Sequence, residues 1–256
     1  MKLASWNVNS LKVRLPQLLD WLAAQQPDIV CLQETKLDDA AFPRREIETA
    51  GYHAAFCGQK TYNGVALLTR EAPSELAFGN PHFTDPQKRL LAATVGGLRV
   101  VCVYVPNGQA VGSDKYAYKL EWLAALACWL AEELAANPRL AVAGDFNIAP
   151  EDRDVHDPIA WAGQILCSEA ERSAFRQLLN LGLNDSFRLF EQAEKSFSWW
   201  DYRMLGFQKN QGLRIDHILL SEPLARRCVA AGISREMRKR ERPSDHAPVT
   251  AELAEP

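Results

Sequence analysis

The sequence lacks a long hydrophobic run. Its most apolar stretch, residues 122–131, is ten residues long and is flanked by Glu121, Glu132 and Glu133. A bilayer-spanning helix needs about 20 apolar residues, so a buried helix is expected there and no membrane association. A signal-peptide pattern is also missing. The chain starts MKLASWNVNS, and polar Asn7, Asn9 and Ser10 arrive before an apolar core can form. No pair among the six cysteines has CxxC or zinc-finger spacing. Several lie in apolar runs (VCL, VVCVYV, LACWL), where a thiol behaves as a small hydrophobe. Reduced core thiols and a cytoplasmic location are the expectation. No Pro/Gly/Ser-rich linker and no repeat interrupts the chain, so a single domain over residues 1–256 is expected. Charge of one sign is not in excess either: 29 Lys and Arg against 32 Asp and Glu give a net −3, which taken alone argues against a nucleic-acid partner.

What is present is globular. With 47% hydrophobic and 24% charged residues, the chain is not of the disordered type. Strand and helix signals alternate, which implies an α/β or α+β layered fold. Residues 3–9 (LASWNVN), 29–35 (IVCLQET), 64–69, 99–105, 140–147, 214–221 and 246–253 read as strands. Residues 16–25, 120–136 and 169–181 read as helices, with Pro16 opening the first and Asn137-Pro138 closing the second. IVCLQ, VVCVYV and IDHILL are apolar on both faces or nearly so, which implies stacked sheets.

The informative pattern is where polar residues fall. Asn7 and Asn9 follow LASW, and Glu34 follows IVCLQ. Tyr104 sits in VVCVYVPNG, while Asp145 and Asn147 follow LAVAG. Asp216-His217 opens IDHILL, and Asp245-His246 opens the last strand. Strand ends in layered folds collect functional groups, because the sheet holds them rigidly and the loops leave them wet. Carboxylates, Asn and His without Cys suit a hard cation such as Mg²⁺ or Mn²⁺. Such an ion beside a His–Asp pair points to phosphoryl transfer.

Each residue also has an ordinary role open to it. Glu34 can be a loop acid, and Tyr104 a half-buried sheet aromatic. Asp145, Asn147 and Asp245-His246 can be turn formers. His217, inside an apolar strand, reads as a satisfied core residue, and Trp199-Trp200 as core or a surface anchor. His53, His82 and His156 read as solvated. The joint occurrence decides.

The stretches WNVNSLKVR, DIVCLQETK, YNGVALLTR, GDFNIAP, FSWWDYR, GLRIDHILLS and ERPSDHAPV, in that order, resemble the exonuclease III class of DNA repair nucleases in the endonuclease/exonuclease/phosphatase superfamily. The resemblance covers nearly the whole chain. It implies a DNase I-like four-layer sandwich: two facing mixed β-sheets with helices outside each. It implies Glu34 as the principal Mg²⁺ ligand with Asn7 beside it. Asp145 would orient or deprotonate the attacking water, and Asn147 would bond the phosphate or the nucleophile. Tyr104 would donate to the phosphate. Asp216 would orient His246, which would contact the phosphate, and Asp245 would be a further metal or network carboxylate. Asp145, Asn147 and His246 are thus carried as catalytic and as metal-site residues. Trp199 and Leu213 match positions lining a pocket for an extruded abasic sugar, which has no base to unstack. Arg203 of WWDYR and Asn107 of YVPNG are carried as substrate contacts, Asn107 standing where Gln is frequent. Residues 157–169 also depart from the family pattern, in a stretch that borders the DNA groove.

The implied activity is a Mg²⁺-dependent (Mn²⁺ as substitute) phosphodiesterase of base excision repair. It would incise duplex DNA 5′ of abasic sites and process 3′ ends, as a monomer and without sequence preference. Residues 203–242 hold ten basic and four acidic side chains, a net of +6 that leaves −9 elsewhere, which reads as a basic stripe for a duplex backbone or as a solvated loop. Lys12, Arg14, Lys60, Lys88 and Arg89 are scattered candidates for further phosphate contacts. One rival keeps the fold and metal but takes lipid or small-molecule phosphates. Another is a DNA-binding module without activity, which the joint presence of Glu34, Asp145, Asn147, Asp216 and His246 disfavours.

Overall fold

The structure, a computed structural model, describes residues 1–254. The strands in chain order are β1 (Lys2–Asn7), β2 (Ile29–Gln33), β3 (His53–Cys57), β4 (Val65–Thr69) and β5 (Ser74–Phe78). They continue with β6 (Leu90–Val95), β7 (Leu98–Tyr104), β8 (Leu140–Asp145), β9 (Leu183–Asp185) and β10 (Trp199–Trp200). The last are β11 (Gly212–Leu213), β12 (Asp216–Ser221), β13 (Cys228–Ile233) and β14 (Val249–Leu253). The helices are α1 (Leu11–Gln25), α2 (Arg44–Thr49), α3 (Asp114–Ala136), α4 (Pro158–Trp161), α5 (Glu169–Asn180) and α6 (Glu222–Ala225).

Two six-stranded mixed sheets form, ordered β13-β14-β1-β2-β4-β3 and β5-β6-β7-β8-β12-β9, and β10-β11 make a short ribbon. The period-2 alternation of a strand sends Leu3 and Ser5 to one face and Ala4 and Trp6 to the other. The inward faces meet in one apolar layer that includes Leu3, Cys31, Leu67, Leu91, Cys102 and Ile218. On the outside of the first sheet, Trp6 and Leu32 pack with Leu18, Trp21 and Leu22 of α1. On the outside of the second, Val101 and Val142 pack with Trp122 and Leu126 of α3 and Phe175 of α5. Each such side chain removed from water contributes roughly 1.5–3 kcal/mol. The stacked sheets expected from strands apolar on both faces, and the four-layer sandwich that the resemblance implies, are the fold observed.

Helix boundaries differ from the sequence reading. Helix α1 begins at Leu11, and Pro16 lies inside it. The start is set by tertiary contacts, because Ser10 and Leu11 donate backbone bonds to Glu34 O and Thr35 O at 2.8 and 3.0 Å. These contacts and the buried Leu11 outweigh the loss of one helical bond at Pro16. Helix α3 begins at Asp114, six residues before the expected start at Leu120, because the Ser113 side chain accepts from Tyr116 N as an N-cap. Strands β3, β5 and β13, with exposed or half-buried positions, carry no clear alternation and exist because a neighbour pairs with them. Among the described residues, no helix is long and apolar enough to cross a membrane.

The topology brings the polar strand ends together. Parallel β1 and β2 finish side by side at Asn7 and Gln33. Parallel β7 and β8 finish side by side at Tyr104 and Asp145. Antiparallel β12 starts opposite that point, with Asp216 paired to Asp145. The β7–β8 approach leaves no room for a side chain at Gly144, where a Cβ would fall 1.9 Å from Val103 O.

Candidate active site

The centre is a buried dyad. His246 Nδ1 lies 2.9 Å from Asp216 Oδ2 and 3.1 Å from Oδ1. Asp216 also accepts from the Ser198 hydroxyl at 2.6 Å. These partners put a proton on Nδ1 and turn Nε2 toward Asp145, whose Oδ2 is 3.7 Å away. Asp145 in turn accepts from Asn7 Nδ2 at 2.9 Å and from the Asn147 amide at 2.9 Å. Asn7 Nδ2 also donates to Glu34 Oε1 at 2.9 Å, so one amide links the carboxylates of the two sheets. Asn147 Nδ2 donates to Val105 O at 2.9 Å, and its Oδ1 accepts from Asn107 Nδ2 at 3.1 Å.

Local backbone geometry is unusual at this point. Asn9, Glu34 and Asn147 have φ of 42°, 52° and 50°, in the left-handed region that side chains other than glycine rarely adopt. Such conformations persist where surrounding structure over-determines them, which is common at functional sites.

The electrostatics are unbalanced. Burial, only partly countered by His246, pushes the Asp145 carboxyl up to about 7. Burial works against the charged His246 ring, but the Asp216 and Asp145 carboxylates outweigh it and push His246 up to about 10. Tyr104 stays a protonated donor, because burial and the Glu34 and Asp145 charges push its phenol well up. Glu34, Asp145 and His246 each offer a ligand atom within 4.8 Å of one another. Among the described residues, this is where three such donors converge. Hard carboxylate oxygens, crowded and short of positive charge, fit a hard divalent cation, with Glu34 and Asp145 as its holders. Asn7 directs Nδ2 at both carboxylates while its Oδ1 accepts from Asn9 N at 3.0 Å.

The remaining expected residues lie around this centre. Asp245 directs its oxygens at Asn9 Nδ2 and Trp199 Nε1, at 2.9 and 3.0 Å, and holds the loop beside the dyad. Burial opposes its ionisation, but His246, Trp199 and Asn9 hold its carboxyl below the usual carboxylate range. Trp199 pairs with Leu213 across the β10–β11 ribbon and forms a bridge to His246. Both belong to an apolar cluster with Val155, Leu166 and Ile215, rimmed by Trp161 and Ile165. Arg203 is exposed and bonded to Asp201 at 2.6 to 3.1 Å.

Several readings need correction. The +6 segment is not one stripe. Arg214 is buried and ion-paired to Asp154 and Asp185, both at 2.7 Å. Arg238 is buried under Trp200 and bonded to Ser244 O. Arg226 and Arg227 follow β12 at the end of the sandwich away from Asp216, where Arg227 shares a cavity of about 430 Å³ with Arg70 and Arg139. His156 is half-buried, with Nδ1 3.2 Å from Gly212 O. The sequence reading passed over Ser198 and Lys36, although FSWW and LQETK contain them. Lys36 pairs with Glu34 at 2.8 Å and bonds Asn9 Oδ1 at 2.5 Å. Arg89 stacks on the Tyr104 ring, its Cζ 4.7 Å from the ring centre.

Residues 4–246 match the endonuclease/exonuclease/phosphatase family. The chain belongs to that family. It is 41% identical to exodeoxyribonuclease III of Haemophilus influenzae, covering 99% of this chain and 100% of that protein. A Neisseria 3′ phosphatase, solved bound to a product DNA hairpin, superposes with a TM-score of 0.98 at 48% identity over 100% of both chains. An AP endonuclease from Archaeoglobus fulgidus superposes with a TM-score of 0.94 at 38% identity, again over 100% of both. The family membership fits the buried dyad, the crowded carboxylates and the four-layer sandwich that carries them.

Proposed function

We propose that this family member is a Mg²⁺-dependent DNA repair phosphodiesterase, with Mn²⁺ as a substitute ion. It removes nucleotides and blocking groups from DNA 3′ ends and incises duplex DNA 5′ of abasic sites. It acts as a cytoplasmic monomer, without sequence preference. The observation that carries this reading is the Asp216–His246 dyad at 2.9 Å, facing Glu34 and Asp145 across a gap of one ligand sphere.

The chain's own residues supply most of the chemistry. Asp216 holds the Nδ1 proton of His246 and leaves Nε2–H to donate to a phosphate oxygen. Asp145, kept basic by burial, accepts the proton of an attacking water. Asn7 and Asn147 fix the Asp145 carboxylate by three hydrogen bonds of 2.9 to 3.3 Å. The Tyr104 phenol, protonated at neutral pH, donates to the same phosphate. Glu34 and Asp145 would hold a divalent cation, which when bound would supply charge neutralisation at the phosphoryl group. Trp199 and Leu213 offer an apolar wall to a sugar without its base.

The test sets two duplexes side by side with Mg²⁺, one with an internal abasic site and one with a nick ending in 3′-phosphate. Product from both supports the full reading, and product from the 3′-phosphate alone restricts it to 3′ ends. No product from either overturns it, and faster turnover of a phosphoinositide than of DNA favours the lipid-phosphate rival.

A further inference from the structure

We propose that Lys119 is a positioning residue for this reaction: its ammonium ties the loops carrying Asn107 and Asn147 to helix α5 and so fixes the Asn147 side chain against Asp145. The inference rests on the function proposed above for the turnover it predicts. Lys119 sits on α3, away from the phosphate site, and is fully buried. An ammonium has three protons to donate, and all three are used. They go to Asn147 O at 2.7 Å, Asn107 O at 3.1 Å and Glu171 Oε1 at 2.5 Å. Glu171 is equally committed. Its Oε1 also accepts from Leu166 N at 3.1 Å, and its Oε2 from Ser168 N and Oγ at 3.0 and 2.6 Å. One ion pair therefore joins the loops around residues 107, 147 and 166.

Apolar side chains of similar volume at a buried ion pair are often as stable or more so, so the pair is a poor stabiliser for its place in α3. What it supplies is geometry. Asn147 holds a left-handed backbone at φ 50°. With its carbonyl drawn down onto Lys119, its side chain is left to reach Val105 O, Asp145 Oδ2 and Asn107 Nδ2. The aliphatic stem is gripped as well. At Gly108, with φ 90°, a Cβ would come 3.0 Å from Lys119 Cδ and 3.0 Å from Ile165 Cδ1. Lys119 touches no reacting atom and acts through Asn147.

A double-mutant cycle on the 3′-phosphate duplex tests this, with Lys119→Met, Asn147→Ala and the two combined. Lys119→Met is expected to lower kcat about tenfold to a hundredfold, with KM changed less than about threefold. On the Asn147→Ala background the same change costs less than about threefold, because the group it positions is gone. An unchanged kcat, or two losses that multiply in full, overturns the proposal. Should Lys119→Met fail to fold because Glu171 is left as an unpaired buried charge, Lys119→Met/Glu171→Gln removes that charge and enters the same cycle. A crystal structure of whichever variant folds reads the proposal without turnover: the Asn147 carbonyl should swing and the bond from Asn107 Nδ2 to the Asn147 side-chain Oδ1 should break. An unmoved Asn147 refutes the positioning role even if the wild-type protein proves inactive on DNA.

Discussion

Two Asp-His dipeptides, Asp216-His217 and Asp245-His246, have the same local sequence and opposite fates. Their side chains do not pair within either dipeptide. Asp216 crosses from the second sheet to His246 at 2.9 Å. His217, one residue on, points to the other face of β12, where its Nδ1 lies 2.9 Å from Arg214 and its Nε2 2.9 Å from Ile148 O. The two rings are protonated differently: His246, pushed up to about 10, carries a proton on both nitrogens at neutral pH, whereas the Arg214 donor leaves His217 with its proton on Nε2. The charges beside them differ as well. Arg214 sits between Asp154 and Asp185, with Arg188 also bonded to Asp154. Burial opposes ionisation of Asp185, yet the Arg214 guanidinium beside it holds its carboxyl well below the usual carboxylate range. Asp145, with no arginine, is instead pushed up to about 7. A compensated buried cluster is structural, and an under-compensated one leaves carboxylate charge that a hard cation can neutralise.

The sharpest way to break this contrast is to neutralise one carboxylate on each side. Asp145→Asn should lower kcat on a 3′-phosphate duplex by about 10³-fold or more and leave the melting temperature equal or higher, since a buried charge is removed. Activity within about tenfold of wild type would mean that Asp145 is not the proton acceptor. On the other side, Arg214→Met leaves Asp154 and Asp185 unpaired and should cost about 3–5 kcal/mol in a denaturant titration. A loss under about 1 kcal/mol would remove the distinction between the clusters.

A smaller effect lies in pH. In the absence of divalent ions, Asp145 and His246 both bind protons more tightly in the folded chain than in the unfolded one, with values of about 7 and about 10. Their contribution to stability is complete below their unfolded values and is lost as pH rises through those two points. Asp185 has the opposite sign, and its contribution is lost as pH falls below the ordinary carboxylate range. Thermal unfolding in a chelator, scanned over roughly pH 5 to 10, should therefore fall on the alkaline side. Mg²⁺ should restore most stability above neutrality, where it no longer competes with a proton at Asp145. A flat profile in both media would contradict the assigned couplings.

Much of this was readable from local pattern. Runs such as IVCLQ and VVCVYV are apolar on both faces because they lie between an inner and an outer layer, and that alone implied the stacked sheets. Polar residues at the ends of those runs marked Glu34, Tyr104, Asp145 and Asp216. The edge strands were not readable, since their pairing partner and not their own alternation makes them strands. The basic segment misled, because Arg214 and Arg238 spend their charge inside the protein.

Along the chain, sequence determined burial and the residue types available at each strand end. Those depend on periodicities of two and 3.6 residues, which any short segment displays by itself. Tertiary structure alone decided which half of each Asp-His dipeptide joins the buried Asp216–His246 dyad and which carbonyls Lys119 holds. Those outcomes depend on how two sheets stack and how their strands register. A contact between residues 216 and 246 is a distance between layers, and no local pattern encodes it.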